Sequence, residues 1–175
     1  FRTETTYSDG RHPDKVNYAA TIKEDLSRRD FTMNALYYDP VQQQVIDYVG
    51  GMRDIKKHIL RPVIAIDRIF VEDPVRMLRA IKYSATTHAK MSHQLRHKIR
   101  NSANLLGQVS PSRITEELLK ILNSSCIYEI VQEALDTDLY IYLQPSAACL
   151  IYDSKDFERK YMESIRQLGE LNKID

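Results

Sequence analysis

The stretch VEDPVRMLRA, residues 71–80, combines core-facing hydrophobic spacing with a high density of charge. Its apolar residues recur every three or four positions, which is typical of a helix packed against a core: Val71, Val75, Leu78 and, just beyond the stretch, Ile81. Asp73 followed by Pro74 predicts that the helix begins here, because aspartate caps helices well and proline suits the first turn.

The charged residues of the same stretch also follow a helical spacing. Glu72, Arg76 and Arg79 would share one stripe, and Asp73 would neighbour Arg76 across a turn. Either the stripe is solvated, as most helical charges are, or it faces a charged ligand. On this stretch alone the solvated interpretation is favoured.

A second stretch, EDLSRRDFTMNAL at residues 24–36, favours a ligand. Arg28 and Arg29 are adjacent, and their repulsion calls for an anion or several carboxylates nearby. Arginine is well suited to grip phosphate oxygens in a fork. We predict a helix over residues 24–39, in which Asp30 and Asn34 share one face and reach the same ligand.

The rest of the chain predicts an α+β fold that is mostly helical. Strands are expected in residues 1–7 and 43–50, and helices are expected over 52–58, 73–86, 92–106, 126–136 and 155–171 and after Ser110-Pro111. In that last helix, Arg113 with Glu117 and Glu116 with Lys120 would form pairs one turn apart. We divide the chain into a mixed portion (1–60), a helical portion (61–125) and a further helical segment (126–175).

Composition argues against a membrane-spanning protein and against a fold held by disulfides or zinc. The longest apolar run is about six residues, far short of the ~20 needed to span a membrane. The two cysteines, Cys126 and Cys149, lack histidines at metal-binding spacing and suit a reducing, cytoplasmic compartment. Residues 1–128 hold 20 Lys/Arg and 14 Asp/Glu, whereas residues 129–175 hold 5 and 10, so the front portion suits a polyanionic partner.

Three segments in order carry a family resemblance: KEDLSRRDFTMNAL (23–36), DYVGGMRDIKKHILR (47–61) and VEDPVRMLRA (71–80). Together they resemble the class II template-independent RNA nucleotidyltransferases, which comprise the bacterial poly(A) polymerases and the tRNA CCA-adding enzymes. The similarity continues through SPSRITEELLKIL (110–122) and covers roughly residues 1–125. DYVGGM and the proline of EDPVRMLRA look more like the poly(A) polymerase branch.

The resemblance implies the rear part of a nucleotidyltransferase head (palm) domain followed by an all-helical neck. It also implies that an RNA 3′-hydroxyl, of an mRNA or a tRNA, attacks the α-phosphate of ATP with the help of Mg²⁺ ions. The implied site residues are Asp30 as an active-site carboxylate; Arg29 and Asn34 at the ribose and triphosphate; Asp73 and Arg76 reading the base; and Arg79 and Lys82 toward the phosphates.

The chain departs from the family at the metal site. The family's GGxVRD turn and the DxD aspartates that hold its metals are absent, and GGMRD at 50–54 is one residue too short. We expect the Mg²⁺ ligands mainly upstream of Phe1, with Glu4 as an additional candidate, and we expect the 175 residues alone to be inactive. CCA addition and a non-catalytic RNA- or nucleotide-binding module remain as alternatives.

Two further features carry less information. Residues 88–100 hold four Lys/Arg, three His and no acid, so this segment either contacts RNA phosphates or forms a solvated helix face. Eleven tyrosines invite base stacking, but we expect Tyr7, Tyr18 and Tyr83 to pack in the core or at an interface.

Overall fold

The computed structural model describes residues 3–4, 16–17 and 21–174, with side chains from residue 21 onward. Short strands lie mostly in the first third of the described chain: β1 (Thr3–Glu4), β2 (Val16–Asn17), β3 (Tyr37–Asp39), β4 (Gln44–Ile46), β5 (Ile59–Leu60) and β6 (Lys90–Met91). Helices dominate the remainder: α1 (Ile22–Leu26), α2 (Gly51–Lys56), α3 (Ile69–Glu72), α4 (Val75–Thr87), α5 (His93–Ser102), α6 (Pro111–Leu122), α7 (Ile127–Asp136), α8 (Tyr140–Leu143), α9 (Pro145–Asp153) and α10 (Lys155–Leu171). Two 3-10 helices lie at Thr32–Asn34 and Ala103–Gln108.

The strands form three separate two-stranded pairs. β1 with β2 and β3 with β4 are antiparallel, whereas β5 and β6 are parallel. The β5–β6 pair brackets α3 and α4, so it ties the end of the mixed portion to the helical portion. The predicted fold class, α+β and mostly helical, is confirmed; the domain boundaries stay predictions.

Helix α4 lies at the centre of the hydrophobic core. Its Met77, Leu78 and Ala80 are fully buried, and one continuous cluster of buried side chains runs from Phe31 to Ile165. The helices α6 and α7 both pack on α4, and α7 in turn packs on α10. No helix among the described residues is both long and apolar enough to cross a membrane.

Most of the predicted helices after residue 67 are present, and their ends follow the caps seen in the sequence. Asp73 is extended and its Oδ1 accepts a hydrogen bond from the Val75 backbone N–H at 3.2 Å, while Pro74 already has helical dihedral angles. Ser92 caps α5 through a hydrogen bond from the Leu95 N–H at 3.1 Å. Helix α6 begins at Pro111.

Two details of the VEDPVRMLRA stretch were wrong. Val71 is 68% exposed, because it lies in the short helix α3 and not on the core face of α4. Glu72 also ends α3, so it does not continue the stripe of Arg76 and Arg79 within one helix. The Asp73-Pro74 break between the two helices is the cause, since proline disfavours a helical conformation in the residue before it.

The predicted single helix over residues 24–39 is wrong. Helix α1 ends at Leu26, a 3-10 turn follows at Thr32–Asn34, and the chain then enters β3. Phe31 between them is extended and forms a β-bridge with Pro62, and the Thr32 N–H donates to the Arg61 carbonyl at 2.9 Å. Pairing with this distant segment overrides the local helical pattern, so Asp30 and Asn34 do not share a helical face.

Helix α2 is locked against the 3-10 turn at Thr32–Asn34. One carboxylate, Asp47, accepts hydrogen bonds from the backbone N–H groups at the start of α2, those of residues 49–52. Burial raises the pKa of Asp47, but these four bonds outweigh burial and hold it below its usual value. The first residue of α2, Gly51, is buried against the Thr32 carbonyl.

We expect Gly51→Ala to destabilise the fold. A Cβ at this position would lie 2.2 Å from the Thr32 carbonyl oxygen, a backbone atom that cannot move aside. Such overpacking costs about 1–3 kcal/mol, which chemical denaturation would measure. The matched control is Gly107→Ala, whose Cβ would meet only the Tyr142 ring at an ordinary 3.7 Å. Equal stability of the two variants would contradict this packing.

Candidate functional site

The site lies where the loop after α1 meets the beginning of α4. The loop is anchored from behind, because the Val63 N–H donates to the Asp30 carbonyl at 3.2 Å and the buried Phe31 ring packs edge-on against Tyr83 at 6.0 Å between centroids. These contacts bring the RRD sequence of the loop opposite the charged face of α4.

The Asp30 carboxylate joins the two segments. Arg76 donates from Nε to Asp30 Oδ1 at 2.9 Å, and Arg79 donates from Nη1 to Asp30 Oδ2 at 2.9 Å. Arg76 also donates to the Arg28 carbonyl at 3.2 Å, and its side chain is only 8% exposed. The stripe on α4 is therefore not solvated, and it faces the loop that carries Arg29 and Asp30.

The charge of Arg79 is reinforced by its surroundings. Burial lowers the pKa of Arg79, but the Asp30 carboxylate more than compensates, so the net pKa lies above the usual value. Glu117 on α6 adds a weaker ion pair, with its Oε1 3.5 Å from the Arg79 Nε. Arg79 is thus a fixed cation with part of its guanidinium exposed.

A cleft of about 410 Å³ opens beside this ion pair. It is lined by three arginines, two aspartates, one amide and one aromatic ring: Arg28, Arg29, Arg79, Asp25, Asp30, Asn34 and Tyr83. Cationic side chains outnumber the carboxylates, and both carboxylates already bind arginines. The cleft is suited to an anionic ligand that carries several oxygens.

Arg29 is held in one orientation at the rim of the cleft. Its Nε donates to Asp25 Oδ2 at 3.0 Å, its Nη1 donates to the Asn34 backbone carbonyl at 2.7 Å, and its guanidinium lies 5.1 Å from the Tyr37 ring centroid. Burial raises the pKa of Asp25, but hydrogen bonds from Tyr37 and Arg29 outweigh burial and the net pKa is lowered. Asp25 is therefore ionised at neutral pH and orients Arg29.

Three of the predicted site residues do not line the cleft: Arg76, which is buried, and Asp73 and Lys82, which point toward α6. Both Asp73 carboxylate oxygens accept from the Arg113 Nη2, at 3.0 and 2.9 Å. Lys82 donates to Glu117 Oε2 at 2.9 Å. The predicted pair of Arg113 with Glu117 within α6 is not formed, because each of these side chains binds a residue of the α3–α4 segment instead; Glu116 does pair with Lys120.

The buried Glu117 carboxylate binds three cationic side chains. Besides Lys82 and Arg79, it accepts a hydrogen bond from Lys120 at 3.0 Å, although its side chain is only 4% exposed. Burial raises the pKa of Glu117, but the bonds from Lys82 and Lys120 outweigh burial and lower it overall. This long-range role was not predicted from the sequence, because local spacing pairs Glu117 with a residue of its own helix.

The polar side chains of the basic segment 88–100 are mostly exposed, as a solvated helix face requires, and RNA contact there stays a prediction. Arg96 pairs with Glu133 at 2.6 Å and with Asp136 at 2.9 Å, and Arg100 pairs with Asp138 at 3.0 Å. Two main cations of α5 are therefore committed to acidic residues in and just after α7. This face joins two helices of the fold.

The side chains present do not form a metal site. Among the residues described from 21 to 174, no group of three or more His, Cys, Asp or Glu is placed to hold an ion. The oxygens of Asp30 accept from arginines, which compete with a cation. The side chain of Glu4, the additional metal-ligand candidate, lies outside the described residues.

The described residues form a mixed portion with short strands joined to a helical portion, and the arginine cleft lies where the two meet. Residues 1–61 match the family described as "Poly A polymerase head domain", and residues 90–150 match "Probable RNA and SrmB- binding site of polymerase A". The chain belongs to the class II template-independent RNA nucleotidyltransferase family, which contains the poly(A) polymerases and CCA-adding enzymes.

Relatives from both branches are similar to this chain. The CCA-adding enzyme of Ligilactobacillus salivarius strain UCC118 is 39% identical over 81% of this chain and 35% of its own length. Poly(A) polymerase I of Salmonella typhimurium strain LT2 is 38% identical over 74% of this chain and 28% of its own length. The chain spans about a third of the length of the curated relatives it matches.

Solved structures support the same assignment. The crystal structure of the Bacillus stearothermophilus CCA-adding enzyme in complex with CTP matches with a TM-score of 0.67 and 33% identity. The match covers 73% of this chain and 32% of that protein.

We expect Arg76→Ala to reduce the free energy of unfolding by about 3 kcal/mol, because it leaves a buried carboxylate short of a partner. Denaturant titration would measure the loss. Arg68→Ala is the matched control, since Arg68 is 75% exposed and its pair with Glu72 lies at the surface. If both substitutions lower the free energy of unfolding equally, the Asp30–Arg76 pair does not link the loop to α4.

Proposed function

We propose that the protein adds nucleotides to RNA 3′ ends without a template, transferring AMP from ATP in the manner of a poly(A) polymerase. One observation carries this proposal: Asp30 binds both Arg76 and Arg79, so the RRD loop and the VEDPVRMLRA segment meet beside a cationic cleft. Family membership supports the reaction class.

The arginines of the cleft are the proposed triphosphate ligands. Arg29 and Arg79 are each oriented by a carboxylate, which fixes their donors before a ligand arrives. Preorganised donors of this kind stabilise negative charge that moves onto the pyrophosphate leaving group. The Asn34 side chain lines the same cleft and adds a neutral donor for ribose or phosphate oxygens.

Asp30 keeps some accepting capacity in this arrangement. Each of its oxygens accepts one arginine N–H, and a carboxylate oxygen accepts about two hydrogen bonds. One position per oxygen therefore remains for a ribose hydroxyl. We assign Asp30 the role of active-site carboxylate that holds two arginines and orients the sugar.

Base selection is assigned to Asp73 and Arg76. Asp73 Oδ1 accepts from both the Val75 N–H and Arg113, whereas Oδ2 accepts from Arg113 alone. Oδ2 therefore retains one acceptor position, which suits the exocyclic amine of adenine. Arg76 lies one turn along the chain. Its buried guanidinium already donates to Asp30, Glu72 and two backbone carbonyls, which leaves one Nη2 N–H for a ring nitrogen. Lys82 is neutralised by Glu117, so we assign it a supporting role behind Arg79.

The second candidate is a CCA-adding enzyme, in which CTP and ATP are used in order on a tRNA. Its support is that CCA-adding and poly(A) relatives are equally similar, at 39% and 38% identity. Cytosine also presents an exocyclic amine donor, so the Asp73 acceptor fits either base.

Nucleotide incorporation separates these candidates. We would incubate the longest product of the gene with labelled ATP or CTP and two RNAs, a tRNA lacking its terminal CCA and an unstructured RNA. We expect long adenylate tails from ATP. Ordered addition of C, C and A to the tRNA alone would establish CCA addition instead. ATP binding without any incorporation would favour the non-catalytic binding module.

We expect Asp73→Asn to weaken discrimination between ATP and GTP, because guanine presents an oxygen acceptor where adenine presents its amine. The substitution removes the charge that Arg113 orients and lets an amide N–H face the base amine. Loss of a contact of this kind costs about 1–3 kcal/mol in discrimination, measured as the ratio of kcat/KM for the two nucleotides. The control is Asp67→Asn, because Asp67 is 85% exposed and contacts only Lys98 among the described residues. An unchanged ratio in Asp73→Asn would remove Asp73 from base selection.

A further inference from the structure

Tyr83 is the one aromatic side chain among the described residues that line the arginine cleft. It lies on α4 one turn beyond Arg79, so the two side chains share a helix face. Its ring is held by an edge-on contact with the buried Phe31 and by the Lys82 ammonium, 5.4 Å from the ring centroid. Tyr83 therefore presents a fixed aromatic surface next to fixed cations.

The combination of arginines with one aromatic ring suits a nucleotide better than a simple anion. Phosphate alone needs only the guanidinium donors, whereas a base or ribose gains from contact with an aromatic ring. Stacking on an aromatic ring is also tolerant of base identity, because every base has a π-face. Tyr83 is thus suited to a nucleoside that the enzyme does not need to read.

The position of Tyr83 indicates which nucleoside this is. On α4 it lies seven residues beyond Arg76, about 10 Å along the helix axis. A base bound between Asp73 and Arg76 cannot also stack on Tyr83, because the phosphate-binding Arg79 lies between them. In-line attack, however, requires the RNA 3′-hydroxyl within about 3–3.5 Å of the α-phosphate. The terminal nucleoside of the RNA must therefore lie beside Arg79, on the side away from the incoming base.

We propose that Tyr83 forms the contact surface for the 3′-terminal nucleoside of the RNA that is extended. The inference rests on the proposed function, since it places the incoming nucleotide at Asp73, Arg76 and Arg79. It assigns the arginine cleft a second ligand beside the triphosphate, recognised by stacking and without base selection. The reaction needs both ligands at once, and their separation along α4 lets one helix set the distance between them.

The sequence offers a direct reporter of this contact. The chain contains no tryptophan, so Tyr83→Trp introduces a single indole into the cleft, and its emission can be excited apart from that of the tyrosines. We expect short oligoadenylate RNA with a free 3′-hydroxyl to change its emission in a saturable way, whereas ATP alone leaves the emission unchanged. The control is Tyr128→Trp, because Tyr128 lies on α7 beside Arg166 and outside the cleft. An emission change with ATP alone, or no emission change with either ligand, would overturn the proposal.

Two substitutions separate binding from packing. Tyr83→Phe keeps the ring, so we expect RNA affinity to be retained. Tyr83→Leu removes the ring, and we expect roughly tenfold weaker RNA binding, within the range of one base–aromatic stack, while the affinity for ATP is unchanged. Thermal melting of both variants reports any loss of the Phe31 contact. If Tyr83→Leu lowers the Tm but leaves RNA affinity intact, Tyr83 is a packing residue only and the proposal fails.

The two proposals fail in different ways. If the protein binds ATP and extends RNA but the tryptophan at position 83 does not respond to RNA, only the role of Tyr83 is lost. If neither ATP nor RNA binds the chain, the proposed function fails and the Tyr83 contact fails with it.

Discussion

The Asp30 carboxylate, shared between Arg76 and Arg79, is the interaction on which the site depends. Its partners are 46 and 49 residues away in sequence, so it closes a long loop and fixes the RRD turn against the start of α4. Burying three charged groups carries a large desolvation cost, and such clusters rarely stabilise a fold more than apolar packing would. Their value here is geometric. The carboxylate offsets the repulsion of two arginines and orients Arg79 at the cleft, while Arg76 stays buried.

Helix α6 provides a second layer of ionic contacts behind the first. Arg113 and Glu117 lie one turn apart on it; the former holds Asp73, and the latter holds Lys82 and Arg79. The proposed base-reading end and phosphate-binding end of the site are therefore aligned by the same helix. Because the contacts are directional hydrogen bonds between charged groups, a small shift of α6 would disturb both ends together.

The sequence predicts the helical half of the fold well and the loop half poorly, for a physical reason. Helices α4 to α7 and α10 have continuous apolar periodicity. Several also begin at a recognisable signal, either a capping serine or a polar residue followed by proline, so local sequence suffices to predict them. Residues 24–39 have a helical pattern too, but Phe31 pairs with Pro62 and the helix is broken. The candidate residues Arg29, Asp30 and Arg79 come together as expected. The predicted pair of Arg113 with Glu117 was wrong, because the partners of both residues lie on another element. Local spacing does not encode such contacts.

The distribution of charge shows why a count of basic residues is a weak guide to an RNA surface. The front of the chain is basic and the back is acidic, yet part of that asymmetry is offset at the surface, where Arg96 and Arg100 of α5 pair with acidic residues in and after α7. Paired charges at a helix interface contribute little to long-range attraction of a polyanion. The cleft differs, since its arginines outnumber its carboxylates within a concave surface that concentrates the field. A phosphate group approaching this chain is therefore favoured at the mouth of the cleft over the α5 face that the sequence marks as basic.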